Sequence, residues 1–158
     1  MNLTELTQRL SEVLLQRGWM LATAESCTGG MISAGCTALA GSSQWFECGF
    51  VSYSNDAKHD MLGVPTALID KHGAVSEEVA QAMVLGALNH SKAQVALAVT
   101  GIAGPSGGSR AKPVGTVWFG WATPAGTFTE HQRFDGDRAA VRAATVRHAL
   151  AGLLQRLP

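Results

Sequence analysis

Residues 94–101, QVALAVTG, are nearly all apolar at odd and even positions alike. A run this short without a polar face suits a central strand covered on both sides, not the half-wet strand of an open antiparallel sheet. A chain that contains such a strand must bring amphipathic helices to both faces. That demand narrows the fold to layered α/β architectures.

The rest of the chain supplies the layers. Leu3, Leu6, Leu10, Val13 and Leu14 recur at helical spacing, so residues 3–17 predict an amphipathic helix stopped by Gly18. WMLATA (19–24) reads as a short buried strand, and MISAGCTAL (31–39) as a helix packed through small residues. GSSQW (41–45) reads as a loop. CGFVSYS (48–54) is β-like, and NDAKHDMLGV predicts a short helix with Asn55 as its N-cap. Pro65 and Gly73 punctuate the next stretch. Residues 76–90 begin with Ser76 and two acids, as a capped helix does. Residues 116–122 and 126–134 predict a hairpin about Pro124-Ala125-Gly126, and 136–157 a long closing helix. The order α-β-α-β-α-α-β-β-β-α predicts one α/β domain over residues 1–158. Its last strands pair antiparallel, so the sheet is expected to be mixed.

Composition excludes several classes. Twelve basic residues balance twelve acidic ones. This argues against a nucleic-acid binder, whose affinity comes from neutralising many phosphates. A small phosphorylated ligand needs only one or two cations and stays open. Cys27, Cys36 and Cys48 are odd in number and contain no CxxC pair, which supports neither a disulfide framework nor a zinc knuckle. A reducing cytoplasm is the expected setting. The N-terminal pattern is that of an amphipathic helix and not a signal peptide, and no run of about 18 apolar residues predicts a membrane span.

Chemistry concentrates in TAESCTGG (23–30), where a strand hands over to a helix. Unpaired N–H groups at such a place can hold an anion or a developing oxyanion. Ser26 is therefore either a nucleophile or, with Thr28, a cap of the following helix. Gly29 and Gly30 allow close approach. Cys27 competes as a nucleophile but is equally a small buried hydrophobe, and Glu25 suits a structural hydrogen bond at a strand end. The five histidines are scattered, with no HExxH and no paired-ligand spacing, so no metal is expected. No GxSxG elbow surrounds Ser26. The remaining candidate base is Lys58 in YSNDAK, about one turn into a helix, beside the chain's single tyrosine, Tyr53. A solvated surface lysine is the alternative. The loop GIAGPSGG, which follows Thr100 and opens at Gly101, has the composition of a phosphate loop. It matches neither GK[ST] nor GxGxxG. Arg138 and Arg142 fall in the first turns of the last helix, the unfavourable end for cations. A bound phosphate would explain them, as would salt bridges to acidic neighbours.

Five stretches, TAESCTGG, GFVSYSNDAK, HGAVSEEVA, VTGIAGPSGG with KPVGTVW, and GDRAAVR, occur here in the order in which they occur in the CinA C-terminal domain family, and the chain resembles that family over residues 5–155. The resemblance implies a three-layer α/β/α sandwich with a mixed, about five-stranded sheet. It implies hydrolysis of the carboxamide of nicotinamide mononucleotide to nicotinate mononucleotide and ammonia, without a cofactor, in pyridine-nucleotide recycling. A serine–lysine dyad would do this, and motif by motif it falls on Ser26 and Lys58. Thr28, Gly29, Gly30, Tyr53, Thr100, Gly101 and Arg138 are the substrate-binding positions it suggests. The expected assembly is a homo-oligomer such as a dimer. The alternative within the same family is a non-catalytic nucleotide-binding or competence-associated module.

Overall fold

The computed structural model describes residues 1–158. Its strands are β1 (Leu21–Glu25), β2 (Phe46–Val51), β3 (Val95–Gly101), β4 (Thr116–Thr123) and β5 (Gly126–Arg133). Its helices are α1 (Leu3–Arg17), α2 (Met31–Thr37), α3 (Asn55–Leu62), α4 (Thr66–His72), α5 (Glu77–Asn89) and α6 (Arg138–Arg156). The five strands form one sheet in the order β2-β1-β3-β4-β5. β1 runs parallel to both β2 and β3, whereas β4 is antiparallel to β3 and to β5. The sheet is mixed, as the hairpin predicted.

The apolar run is two-faced in detail. Val95, Leu97 and Val99 enter one core with Leu10 and Leu14 of α1, Ile32 of α2 and Leu150 and Leu153 of α6. Ala96 and Ala98, between them, enter a second core with Leu62 of α3 and Val79, Met83 and Val84 of α5. Large side chains therefore face one helical layer, and alanines face the other, letting α5 lie close on the sheet. Gly120 of β4 extends that close approach, because a Cβ there would stand 2.8 Å from the Ala80 carbonyl oxygen. Three layers result, with α1, α2 and α6 on one face and α3, α4 and α5 on the other.

Helix ends follow local chemistry. Asn2 and Glu5 form a reciprocal capping box at α1, and Gly18 closes it in the left-handed conformation. Ser76 caps α5 and Asp137 caps α6. The α3 cap is Ser54, whose Oγ accepts from Ala57 N at 3.0 Å, not the expected Asn55. α4, seven residues between Pro65 and Gly73, was not expected from the pattern. A short 3₁₀ turn occupies Ser42–Gln44 inside the expected loop. β2 lies earlier than expected and ends at Val51, which frees the carbonyls of Ser52 and Tyr53 from the ladder.

The chain leaves β1 first for β2 through α2, then returns to β3 through α3, α4 and α5 on the opposite face. The crossovers diverge at the C-terminal ends of β1 and β3. In open α/β sheets this switch point opens a crevice. No helix is long and apolar enough to cross a membrane.

Candidate active site

Ser26 is the first residue beyond β1, and its N–H donates to Val99 O at 3.1 Å, which pins it at the crevice floor. The chain then turns sharply: Gly29 N donates to Ser26 O at 3.0 Å, and Gly29 and Gly30 take φ of 57° and 110°. Left-handed φ at successive positions needs glycine. α2 begins only at Met31, so neither Ser26 nor Thr28 caps it, and its N-cap residue Gly30 has no side chain to do so. Glu25 performs that duty from the strand end. Wholly buried, it accepts from Thr28 Oγ1 at 2.6 Å, Ile32 N at 2.8 Å, Ser33 N at 3.0 Å and Ser33 Oγ at 2.9 Å. Thr28 is thereby committed to the interior, and the Ser26 hydroxyl is left to the crevice.

Lys58, on the inner side of α3, is only 1% exposed. Its Nζ donates to Ser26 Oγ at 2.9 Å, Tyr53 O at 2.9 Å and Ser52 O at 3.2 Å. All three partners are neutral, and none of the protein's ion pairs includes this lysine. Burial without a counter-charge penalises the ammonium and lowers its pKa from 10.5 to about 8. Burial has the opposite sign for Cys27, whose thiol is pushed up to about 12. A thiol held protonated is a poor nucleophile.

These side chains line a cleft of about 200 Å³. Of the residues singled out in the sequence, Ser26, Cys27, Lys58, Tyr53, Thr100, Gly101 and Arg138 meet there, while Thr28, Gly29 and Gly30 shape the turn behind it without forming a wall. Thr100 Oγ1 donates to Ala74 O at 2.8 Å, so its hydroxyl fastens the adjoining wall of Ala74 and Val75. A Cβ on Gly101 would meet Val117 Cγ2 at 2.7 Å and Cys27 Sγ at 3.2 Å. Asn55, expected only as a helix cap, also lines the cleft, as do Ala74, Val75 and Ala103, which sequence reasoning did not single out. Asn55 carried a signal, since it stands three residues before Lys58 in the same motif. The small apolar residues carried none.

The two arginines of GDRAAVR have different neighbours. Arg138 reaches the cleft, where Nη1 donates to Gly104 O at 2.9 Å and Nη2 to Tyr53 Oη at 3.4 Å. Arg142 donates behind it, from Nε to Cys27 O at 3.1 Å and from Nη2 to Thr28 O at 3.2 Å. Neither pairs with a carboxylate. Lys58 and Arg138 are the cationic side chains of the cleft, and no Asp or Glu lines it.

The CinA C-terminal domain model matches residues 3–157. The chain belongs to the CinA C-terminal domain family. Among relatives, it is 54% identical over 153 residues to the nicotinamide-nucleotide amidohydrolase PncC of Pseudomonas putida, covering 97% of this chain and 96% of that one. It is 49% identical over 156 residues to the protein of the same name from Escherichia coli K12, covering 98% and 94%. Among solved structures, competence damage-inducible protein A from Klebsiella pneumoniae superposes with a TM-score of 0.96 at 43% identity, covering 99% of this chain and 98% of that one. The CinA-family architecture thus extends over essentially the whole chain.

Proposed function

We propose that the protein is a nicotinamide-nucleotide amidohydrolase, which converts the carboxamide of nicotinamide mononucleotide to a carboxylate and releases ammonia through Ser26 and Lys58. The observation that carries this reading is the 2.9 Å contact between Lys58 Nζ and Ser26 Oγ, made by a buried lysine with no acidic partner. The names of the Pseudomonas and Escherichia relatives supply the substrate.

The hydrogen bonds of Lys58 support a role as base. As an ammonium, Lys58 donates its three protons to Ser26 Oγ, Ser52 O and Tyr53 O. Carbonyl oxygens only accept. When Lys58 is neutral, its two remaining protons stay on the two carbonyls, and its lone pair is directed at Ser26 Oγ. The hydroxyl then donates to the amine, which activates the oxygen. Ser26 Oγ attacks the carboxamide carbon as its proton passes to Lys58. Collapse of the tetrahedral intermediate breaks the C–N bond, with Lys58 giving the proton to the departing ammonia. Water then hydrolyses the ester, using the same base.

The N–H of Cys27, which lines the cleft, makes no hydrogen bond to another residue, which suits it to receive the oxyanion. Arg138, cationic and unpaired at the cleft, suits the phosphate end of the substrate. A non-catalytic nucleotide-binding role would leave unexplained a lysine buried without a counter-charge against a serine. The test is ammonia release from nicotinamide mononucleotide by purified protein and by Ser26→Ala. The reading requires release that depends on Ser26.

A further inference from the structure

The stretch KPVGTVW (112–118) lines no part of the cleft, yet its lysine ties two of the cleft's walls together. Lys112 is half-buried, and its Nζ donates to His72 O at 2.8 Å, 40 residues away in sequence. His72 ends α4, where a cation complements the helix's last carbonyls. Glu77 and Glu78 line the same hollow as Lys112, but neither forms an ion pair with it. The next two carbonyls are held as well, Gly73 O by Ser76 Oγ at 2.8 Å and Ala74 O by Thr100 Oγ1 at 2.8 Å. Three successive carbonyls are thus fixed in the wall that presents Ala74 and Val75 to the cleft. The second wall is the loop between β3 and β4. Its base closes from Gly115 N to Ile102 O at 2.7 Å, and its tip from Ser109 N to Lys112 O at 2.9 Å and from Lys112 N to Ser109 Oγ at 3.0 Å. The two limbs between are tightly packed: a Cβ on Gly104 would strike Val114 Cγ1, and one on Gly108 would stand 2.8 Å from Val114 N. Gly104 O in turn accepts from Arg138 Nη1 at 2.9 Å. Lys112 is joined to Val114 through Pro113, whose ring fixes φ, so the connection runs unbroken from His72 O to Arg138.

We propose that Lys112 is a positioning residue for Arg138: by fastening the loop to the end of α4, it holds the Gly104 carbonyl where that carbonyl orients the guanidinium at the cleft, and so sets affinity for the nucleotide. This rests on the reading of Arg138 as the partner of the substrate's phosphate. The duty needs a long side chain with a donor at its tip. It needs no proton transfer and no contact with the substrate. Lys112 therefore acts on binding and leaves the reacting carbon to Ser26 and Lys58.

The experiment measures kcat and KM for nicotinamide mononucleotide in wild type, Lys112→Met, Lys112→Arg, Arg138→Ala and the double variant Lys112→Met/Arg138→Ala. It also follows, by mass spectrometry, the rate at which phenylglyoxal modifies Arg138 in the ligand-free proteins. Folding is checked by thermal melting. Lys112→Met is expected to raise KM about tenfold with kcat within about threefold of wild type. Lys112→Arg, which keeps a cationic donor of similar reach, stays within about threefold in both. The double variant is no more than about twofold worse than Arg138→Ala, because Lys112 acts through Arg138; a general loosening of the fold would instead multiply the two losses. Arg138 is modified at least about threefold faster in Lys112→Met, as the loss of one ordinary hydrogen bond implies. Unchanged KM where Arg138→Ala raises it, unchanged modification of Arg138, or losses that multiply in the double variant overturns the proposal. Should the methionine variant not fold, Lys112→Gln, whose amide is too short to reach the same carbonyl, takes its place with the same expectations. If Arg138→Ala leaves KM unchanged, or wild type leaves the nucleotide intact, the substrate reading fails instead, and the modification rates alone decide the role of Lys112.

Discussion

Glu25 and Ser33, eight residues apart, meet as a buried carboxylate and the first turn of α2: Oε2 accepts both Ser33 N at 3.0 Å and Ser33 Oγ at 2.9 Å. With Thr28 Oγ1 and Ile32 N on the other oxygen, the strand end and the helix start are tied together around the turn that follows Ser26. Glu25→Gln turns one acceptor oxygen into a donor facing donors. The expected loss is about 2–4 kcal/mol of unfolding free energy, read by urea denaturation. A loss below about 0.5 kcal/mol would mean that the carboxylate does not hold the turn.

Lys58 couples stability to pH. Its folded-state pKa is about 8 against 10.5 for a free lysine, so between these values the unfolded chain binds a proton that the folded chain does not. Stability therefore rises with pH across that window, and the gain is absent below it. Relative to Lys58→Met, wild type is expected to gain on the order of 3 kcal/mol between pH 8 and 10.5, from the conversion of pKa units to free energy. Parallel stability curves for the two proteins would contradict an uncompensated burial of this lysine.

The proposed base role ties the same titration to activity. A base must be neutral to accept a proton, so kcat/KM is expected to rise with pH and level off above about 8. A profile flat from pH 6 to 9 would exclude Lys58 titration from the free enzyme.

Arg138 provides the test of the nucleotide end. Arg138→Ala is expected to raise KM for nicotinamide mononucleotide at least about tenfold while kcat changes little, because the lost contact is remote from the reacting carbon. Free nicotinamide should be far the poorer substrate. Equal turnover of nucleotide and free base would remove the phosphate from the recognition scheme.

Much of this architecture was legible in local chemistry. VALAV announced a doubly covered strand, and the structure shows why it alternates large and small: Leu97 meets the α1 and α6 layer, while Ala96 and Ala98 admit α5. The Ser76 cap and the β4–β5 hairpin follow equally short-range rules. Ser26 and Lys58 were each visible as candidates, but their contact depends on β2 ending early enough to place α3 over the end of β1. That is a tertiary fact, and spacing cannot express it. Capping of α2 by Glu25 was hidden for a related reason, since capping rules look to the residue before a helix and not to a carboxylate six positions upstream of it. α4 escaped because seven residues between a proline and a glycine give too few turns for periodicity to register. Arg138 and Arg142 looked alike one turn apart on α6, and only the surrounding loops distinguish them.

The packing of the cleft floor can be probed at Gly101. Gly101→Ala would drive a Cβ to 2.7 Å from Val117 Cγ2 and 3.2 Å from Cys27 Sγ. Displacement of the Cys27 wall is expected to lower kcat at least about tenfold and to cost about 1–3 kcal/mol of stability, as overpacking does. Wild-type kinetics in this variant would show that the floor yields freely.

The most direct test of the central claim is the turnover of Lys58→Arg on nicotinamide mononucleotide, with folding checked by melting. Arginine keeps the positive charge and comparable reach but does not give up its proton in a protein. If Lys58 is the base that activates Ser26, turnover falls about a thousandfold or more, and Ser26→Ala in the same protein makes it scarcely worse, because the pair acts as a unit. If the folded variant keeps more than about a tenth of wild-type turnover, a cost below about 1.4 kcal/mol, Lys58 serves only as a cation and the dyad is wrong.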